Sequence, residues 1–479
     1  MTSLEIEREE QQRWRLRPEH AAAPWFDRLL ENEFLTDDEL RRQQSTLLTS
    51  IVRFAAGHVP YYRDVFARGG LDVADITGAD DLVRLPVLGK QDVVRHSAAL
   101  LAGQLPPGHR LTGSTQSSGT TGAPLSVAST QCNDAMFTFL WQRQARWFRL
   151  DPRGILVDIR TGKEIGRQPD GSPNSEGAVV RHPRWRYLGE FFETGPQFGF
   201  NSSNVVERQL AWLRQIRPQA LHTYPGVFEE LALGNEGRPP VDSLEALVGI
   251  GSQLTPALRT RLESIYGLPI HQTYGLNEIG KVGLRCNAGR YHVHAEHCVV
   301  EIVDGDGMPC PPGTTGRVLV TALRNYAMPL LRYDTGDLAE AVAGRCPCGR
   351  TLPSFGEVAG RFRRYHGLPA GTRERVHGLL GALAKVPVPL LDFLREYQIH
   401  QDREDRFTLR LKTVGPAADQ FTAEMQRAWL TLSRGPHDPL AIRIVDHIPR
   451  SPSGKHLDFT SDMYDDDYAR TIDQDRTDA

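Results

Sequence analysis

Between about residue 205 and residue 275 the chain alternates helix-like and strand-like segments, and this alternation limits its fold more than any other feature. The apolar spacing predicts helices over Val205–Ile216, Val227–Leu233 and Pro256–Tyr266. Between them it predicts strands over Ala220–Tyr224, Ala246–Gly249 and Ile270–Tyr274. Short apolar strands separated by helices are what a parallel sheet covered by helices requires. The pattern then changes twice. Alternation in Val299–Val303 and Arg317–Thr321 makes residues 290–341 an all-β stretch. After Gly360, Tyr397–His400 and Phe407–Val414 read as a hairpin, followed by a helix (Ala417–Leu432) and a strand (Leu440–Val445). The expected class is α/β: a large N-terminal domain, residues 1–360, of mixed α/β sheets plus a small β-region, and a small mobile α+β domain, residues 361–479.

Before that core, Asp37-Asp38-Glu39 caps a helix that Pro60-Tyr61-Tyr62 breaks. A second helix is expected over Asn133–Leu150, and a Gly- and Pro-rich surface loop or lid over 161–185. The net charge of −3 supplies no footprint for nucleic acid. The first residues lack the apolar stretch of a signal peptide, and no run reaches the roughly 18–20 apolar residues of a membrane span. A cytoplasmic protein is the expectation. Six cysteines are too few for a disulfide scaffold of 479 residues.

Four segments carry chemistry. Ser114–Pro124, S-T-Q-S-S-G-T-T-G-A-P, is dense in hydroxyls and glycine, as a loop wrapping a polyphosphate must be; a flexible linker has the same composition. It lacks the G-K-[ST] of a Walker loop. In His271–Gly280, a strand runs into a glycine turn, so that Tyr274 could stack a base and Glu278 hold Mg²⁺; a turn with a buried tyrosine is the plainer alternative. Arg332–Asp337 places Asp337 beyond a glycine, where it suits ribose hydroxyls or merely ends a hairpin turn. Lys455, in Pro449–Lys455, is a mobile cation for anionic groups or a solvated surface lysine.

In this order and spacing, the hydroxyl loop, Y-G-x-x-E, R-Y-x-x-G-D, G-R and P-R-x-x-S-G-K resemble the acyl-adenylate-forming superfamily of acyl-CoA ligases. Val59–Phe66, Leu85-Pro86-Val87 with Lys90, and the lysine-free phosphate loop resemble its phenylacetate–CoA ligase branch, over about residues 45 to 460. The resemblance implies that a carboxylate attacks the α-phosphate of Mg-ATP and that the acyl-adenylate then passes to a second nucleophile, usually the CoA thiol. It implies that Ser117, Ser118, Gly119, Thr120, Thr121 and Gly122 cradle the β/γ-phosphates. It places Gly251, Ser252 and Gln253 along the nucleotide and acyl pocket, and Tyr274 and Gly275 at the adenine. Asn277 meets the α-phosphate, Glu278 binds Mg²⁺, Asp337 holds the ribose, Arg361 sits at the domain junction, and Lys455 is the adenylation lysine.

The branch also suggests a structural zinc site from Cys286, His292, Cys346 and Cys348. His294, His297 and Cys298 leave the choice of histidine open, and free buried cysteines are the alternative. Cofactors implied are ATP, Mg²⁺ and Zn²⁺, with CoA as co-substrate. The partner is a small carboxylic acid, with no nucleic acid or membrane, and a homodimer is an open state of assembly.

The chain departs from the family at the junction: Arg364 stands where an Asp is usual, and Gly367–Gly371 replaces the usual loop. An acceptor other than CoA (an amine, a carrier protein, or nitrite for diazotization of an aryl amine) therefore stays open, as does an inactive nucleotide- or acyl-binding protein. The acyl pocket is expected around His222–Gly226, with Tyr224, Pro225 and Gly226, and around Trp185–Tyr187, with Tyr187. These aromatics suit a flat, apolar acid or are ordinary core.

Overall fold

The structure, a computed structural model, describes residues 14–20, 25–116, 125–162, 164–166, 177–251, 254–361, 370–386, 390, 393–403, 406–417, 419–432, 440–449 and 459–463. The alternating region forms the centre of a nine-stranded sheet. Strands Gln197–Asn201, Leu156–Arg160, Ala220–Thr223, Ala246–Gly249 and Ile270–Leu276 run parallel in that spatial order. Helices Val206–Ile216, Pro225–Gly234 and Pro256–Tyr266 make the crossovers, at almost the bounds read from the sequence. Antiparallel strands finish both edges: Val179–His182 on one, and Gly280–Arg285, Tyr291–Val293 and Ser354–Phe355 on the other.

Residue parity along these strands sorts the two faces. Val157, Ile159, Leu221 and Leu247 point into the core under the crossover helices. Leu156, Ala220, Ala246 and Val248 point into a second core with Trp141 and Ala145 of helix Gln131–Trp147 and with Phe148 at its end. That helix begins directly after the hairpin Leu111–Gln116/Ser126–Thr130, whose strands flank the hydroxyl loop. The loop itself, Ser117 to Gly122, lies outside the described residues.

The all-β stretch is an antiparallel sheet of Cys298–Val303, Thr315–Ala322, Tyr333–Glu340 and Val358–Arg361. Its inner face shares a core with helix Asp37–His58. Thr36 caps that helix through a reciprocal pair with Glu39, one residue before the expected acidic cap. Pro60 does end the helix, but as the first residue of another, Pro60–Gly69, where its missing N–H costs nothing.

The last part of the chain has a core of its own. Strands Leu394–Arg403 and Arg406–Thr413 form the expected hairpin, with Ala441–Ile444 and Phe459–Ser461 added in parallel at either edge. Phe407, Phe421, Met425 and Trp429 fill it with Val376, Leu379 and Leu380. The last three come from helix Ala370–Lys385, an element the sequence reading placed in no secondary structure. Leu338, from the preceding sheet, packs into the same core. Among the described residues no helix is long and apolar enough to cross a membrane.

Candidate active site

The strand Ile270–Leu276 and the strand Tyr333–Glu340 belong to different sheets, and their ends meet. The Tyr274 hydroxyl donates to Asp337 at 2.7 Å. Gly336, at φ 70°, makes the turn that turns Asp337 toward it, and the Thr335 hydroxyl receives the Asp337 N–H at 3.0 Å. Tyr274 is buried, edge-on to Phe355 at 5.7 Å. Glu278 follows in the turn after the strand, buried, and its carboxylate accepts from the Tyr333 hydroxyl at 3.3 Å. Asn277, beside it, is exposed, as is Gly275. The polar groups that the sequence placed along a nucleotide thus converge from positions 63 residues apart.

Arg361 also arrives here. In strand Val358–Arg361 its backbone is the register partner of Asp337, so the chain leaves this sheet beside that residue. Ser252, Gln253 and Lys455 lie outside the described residues. Gly251 is exposed at φ 73°, and a Cβ there would stand 2.8 Å from a ring carbon of Tyr224. Gly251→Ala therefore both strains the backbone and forces the tyrosine aside. Overpacking of this kind costs about 1–3 kcal/mol, which as lost pocket affinity is roughly 5- to 150-fold in kcat/KM for the acid. Steady-state kinetics alongside a melting curve check it: an unaltered kcat/KM means that Gly251 does not border the pocket.

Tyr224 precedes helix Pro225–Gly234, with Pro225 buried and Gly226 open to space. The Tyr224 hydroxyl donates to Glu164, which Arg160 also holds at 2.6 Å. Burial, then the Glu164 charge, pushes the Tyr224 pKa up to about 12. Tyr187, 42 % exposed at φ 56°, stacks on Trp141 at 6.5 Å and meets Phe137 edge-on at 5.1 Å.

Behind these rings lie Lys281 and Asp158, which the sequence reading did not single out, and His222, which it placed at the acyl pocket. Lys281, in strand Gly280–Arg285, is 9 % exposed; its ammonium lies over Phe137 and Trp141, 5.1 and 4.9 Å from the ring centroids. Burial, assisted by Arg160, pushes its pKa down to about 7. Asp158 meets His222 Nδ1 at 2.6 Å in a buried pair. The signal for Lys281 was a lone cation inside an apolar run, Ile279–Leu284. Asp158 carried a similar signal in Ile155–Ile159.

Cys286, His292, Cys346 and Cys348 form a cluster whose donor atoms all lie within 4.8 Å of one another. Two tight turns, Cys286–Arg290 and Cys346–Gly349, present the thiols. Cys286 and Cys346 sulfurs are 3.6 Å apart, and Cys348 sulfur is 3.3 Å from His292 Nε2. Two thiolates on one tetrahedral ion at about 2.3 Å stand about 3.8 Å apart, so the donor set fits such an ion. His292 Nδ1 lies 3.1 Å from the Leu352 carbonyl; donating there leaves Nε2 as the ligating atom. Burial pushes the His292 pKa down to about 4, keeping the imidazole neutral. His294 and His297 bond elsewhere, to Arg143 and to the Ile279 carbonyl.

Comparison with known proteins identifies the chain as an ATP-dependent, AMP-forming ligase of the acyl-CoA ligase type. The AMP-binding enzyme family matches residues 197–324. Phenylacetate-coenzyme A ligase of Thermus thermophilus is 30% identical over 339 residues, 69% of this chain and 72% of that protein. Its Escherichia coli counterpart is 27% identical over 333 residues, 68% and 71% of the two chains. The chain belongs to this phenylacetate–CoA ligase branch of the adenylate-forming enzymes. A crystal structure of 2-hydroxyisobutyryl-CoA ligase in its postadenylation state has the same fold, with TM-score 0.64 at 18% identity over 94% of both chains.

Proposed function

We propose that this enzyme activates an aromatic carboxylic acid as its acyl-adenylate and transfers the acyl group to the CoA thiol. The observation that carries the aromatic part is the set of rings at the pocket: Tyr187 half open to solvent, stacked on Trp141 and edge-on to Phe137. Flat apolar walls of this kind favour a planar acyl group. One carboxylate oxygen attacks the α-phosphorus while the bond to the pyrophosphate oxygen breaks. Ser117, Ser118, Gly119, Thr120, Thr121 and Gly122 grip the β/γ-phosphates, Asn277 the α-phosphate and Asp337 the ribose, with Gly251, Ser252, Gln253, Tyr274 and Gly275 lining the nucleotide. Glu278 would hold Mg²⁺, since its carboxylate is a hard oxygen ligand.

Residues 1–360 hold both substrates in this reading, and residues 361–479 form a lid that brings Lys455 in, with Arg361 at the pivot. Cys286, His292, Cys346 and Cys348 would hold Zn²⁺, which pins the two turns together and takes no part in the chemistry.

Two measurements bear on this. In the first, kcat/KM is compared for aryl and straight-chain acids, read as AMP formation with CoA present. The aryl acids are expected to lead by about tenfold or more; a lead for the straight-chain acids overturns the aromatic reading. Arg364, at the position of the usual hinge Asp, favours a second reading, in which the acceptor is an amine, a carrier protein or nitrite. Adenylate that accumulates and yields no thioester with CoA decides for it.

In the second, Tyr274→Phe removes the donor to Asp337 and is expected to raise KM for ATP about 3- to 10-fold. An effect confined to KM for the acid contradicts the placement of Tyr274.

A further inference from the structure

The sheet face packed on helix Gln131–Trp147 is apolar at the level of Leu156, Ala220 and Ala246. One step further toward the carboxyl ends of the parallel strands it is not: Asp158 and His222 stand there as register partners. In parallel sheets that end is where ligands bind.

His222 is 5 % exposed, and its Nδ1 faces Asp158 at 2.6 Å. A carboxylate accepts, so Nδ1 carries the hydrogen, and in a neutral ring Nε2 is left with a lone pair. Burial keeps the ring neutral by lowering its pKa, against the pull of Asp158. Nε2 is buried with no hydrogen-bond partner among the described residues. A buried acceptor left without a partner is costly unless a ligand brings it a donor.

The second group is Lys281. Its ammonium meets the Gln144 side-chain oxygen, which uses one of three N–H donors. It lies 4.9 Å from the centroid of the Trp141 ring, and His222 stands edge-on to the same indole, centroids 5.6 Å apart. Lys281 is carried there by the strand that leaves the Asn277–Glu278 turn. A cation donor and a neutral acceptor therefore border one indole, next to the Phe137 and Tyr187 rings.

We infer that the acid this enzyme activates carries a hydroxyl group on its ring, held by Lys281 and His222. The hydroxyl oxygen accepts from the Lys281 ammonium, and its O–H donates to His222 Nε2. A hydroxyl does both; a carboxylate only accepts, and a methyl or halogen does neither. Lys281 and His222 are then specificity determinants, and Asp158 positions His222. The inference rests on the reading above that Phe137, Trp141 and Tyr187 wall the acyl pocket.

The test compares aromatic acids with and without a ring hydroxyl at each position, read as pyrophosphate release by the full-length enzyme. The ratio of kcat/KM, hydroxylated to unsubstituted, is taken for wild type, Lys281→Met and His222→Phe. Because the ratio is internal to each preparation, a partly folded variant still reports it. The wild type is expected to favour the best hydroxylated acid by about 10²-fold or more, since a site built to bond a hydroxyl rejects the analogue lacking it. Each variant is expected to bring that ratio below about tenfold. A wild-type ratio near one, or a ratio unaltered in both variants, overturns the inference while aryl activation stands. No pyrophosphate release with any aryl acid overturns the pocket reading itself.

Discussion

Lys455→Ala is expected to slow acyl-adenylate formation by about 10²–10³-fold, the usual effect of losing one electrostatic stabiliser of a transition state. As the carboxylate approaches the α-phosphate, negative charge gathers between two anionic groups, and the ammonium of Lys455 is the compact charge proposed to meet it. In the proposed reading, residues 361–479 carry Lys455 as a lid, and the lysine would reach the nucleotide when that lid closes. The effect should fall on one half-reaction. Pyrophosphate release from acid and ATP collapses, whereas thioester formation from preformed acyl-adenylate and CoA continues. Arginine should not restore the rate, because its planar fork does not occupy the position of a single ammonium. Pyrophosphate release at the wild-type rate in Lys455→Ala contradicts the assignment.

Cys348→Ser is expected to empty the proposed metal site and to lower the melting temperature by about 5 °C. A metal present at about a thousand times its Kd contributes about 4 kcal/mol, and at about 2.1 cal/mol/K per residue a domain of roughly 360 residues moves its Tm by about 1.3 °C for each kcal/mol. The cause is geometric. Cys286 sits at the end of a strand of the large sheet, and Cys346 and Cys348 lie on a turn some 60 residues later in the chain. An ion joining them closes a long loop. Arg350, just beyond, lies 3.6 Å over the Trp147 ring and pairs with Glu33 at 2.8 Å, so loss of the turn also loosens the N-terminal attachment. Metal analysis and melting curves give the answer together. About one zinc per wild-type chain and less than half in the variant is the expected result; a wild type with less than about half an equivalent contradicts it.

What could be read from the sequence was whatever rests on local periodicity. The crossover helices and parallel strands between 206 and 276 fall almost where apolar spacing puts them, because each is short and bounded by its own turn or cap. Helix Ala370–Lys385 was not legible: its glycines at 371, 378 and 381 and its charged start look like a loop, and packing of Val376, Leu379 and Leu380 overrides that. The site divides in the same way. Candidate residues that stand close together in the sequence, such as Tyr274 to Glu278, could be singled out directly. Cys286, His292, Cys346 and Cys348 could be grouped because thiols are rare in this chain. Lys281, Asp158 and His222 could not be joined, since nothing in their spacing records that the fold brings Lys281 and His222 to one indole and Asp158 to His222.

The most direct test of the whole account is a single-turnover reaction with Mg-ATP and a ring-hydroxylated aromatic acid, followed by addition of CoA. The account predicts one equivalent of pyrophosphate and enzyme-bound acyl-adenylate before CoA, then AMP and the acyl-CoA thioester after it. Release of ADP and phosphate, or pyrophosphate formed equally without the acid, would contradict it.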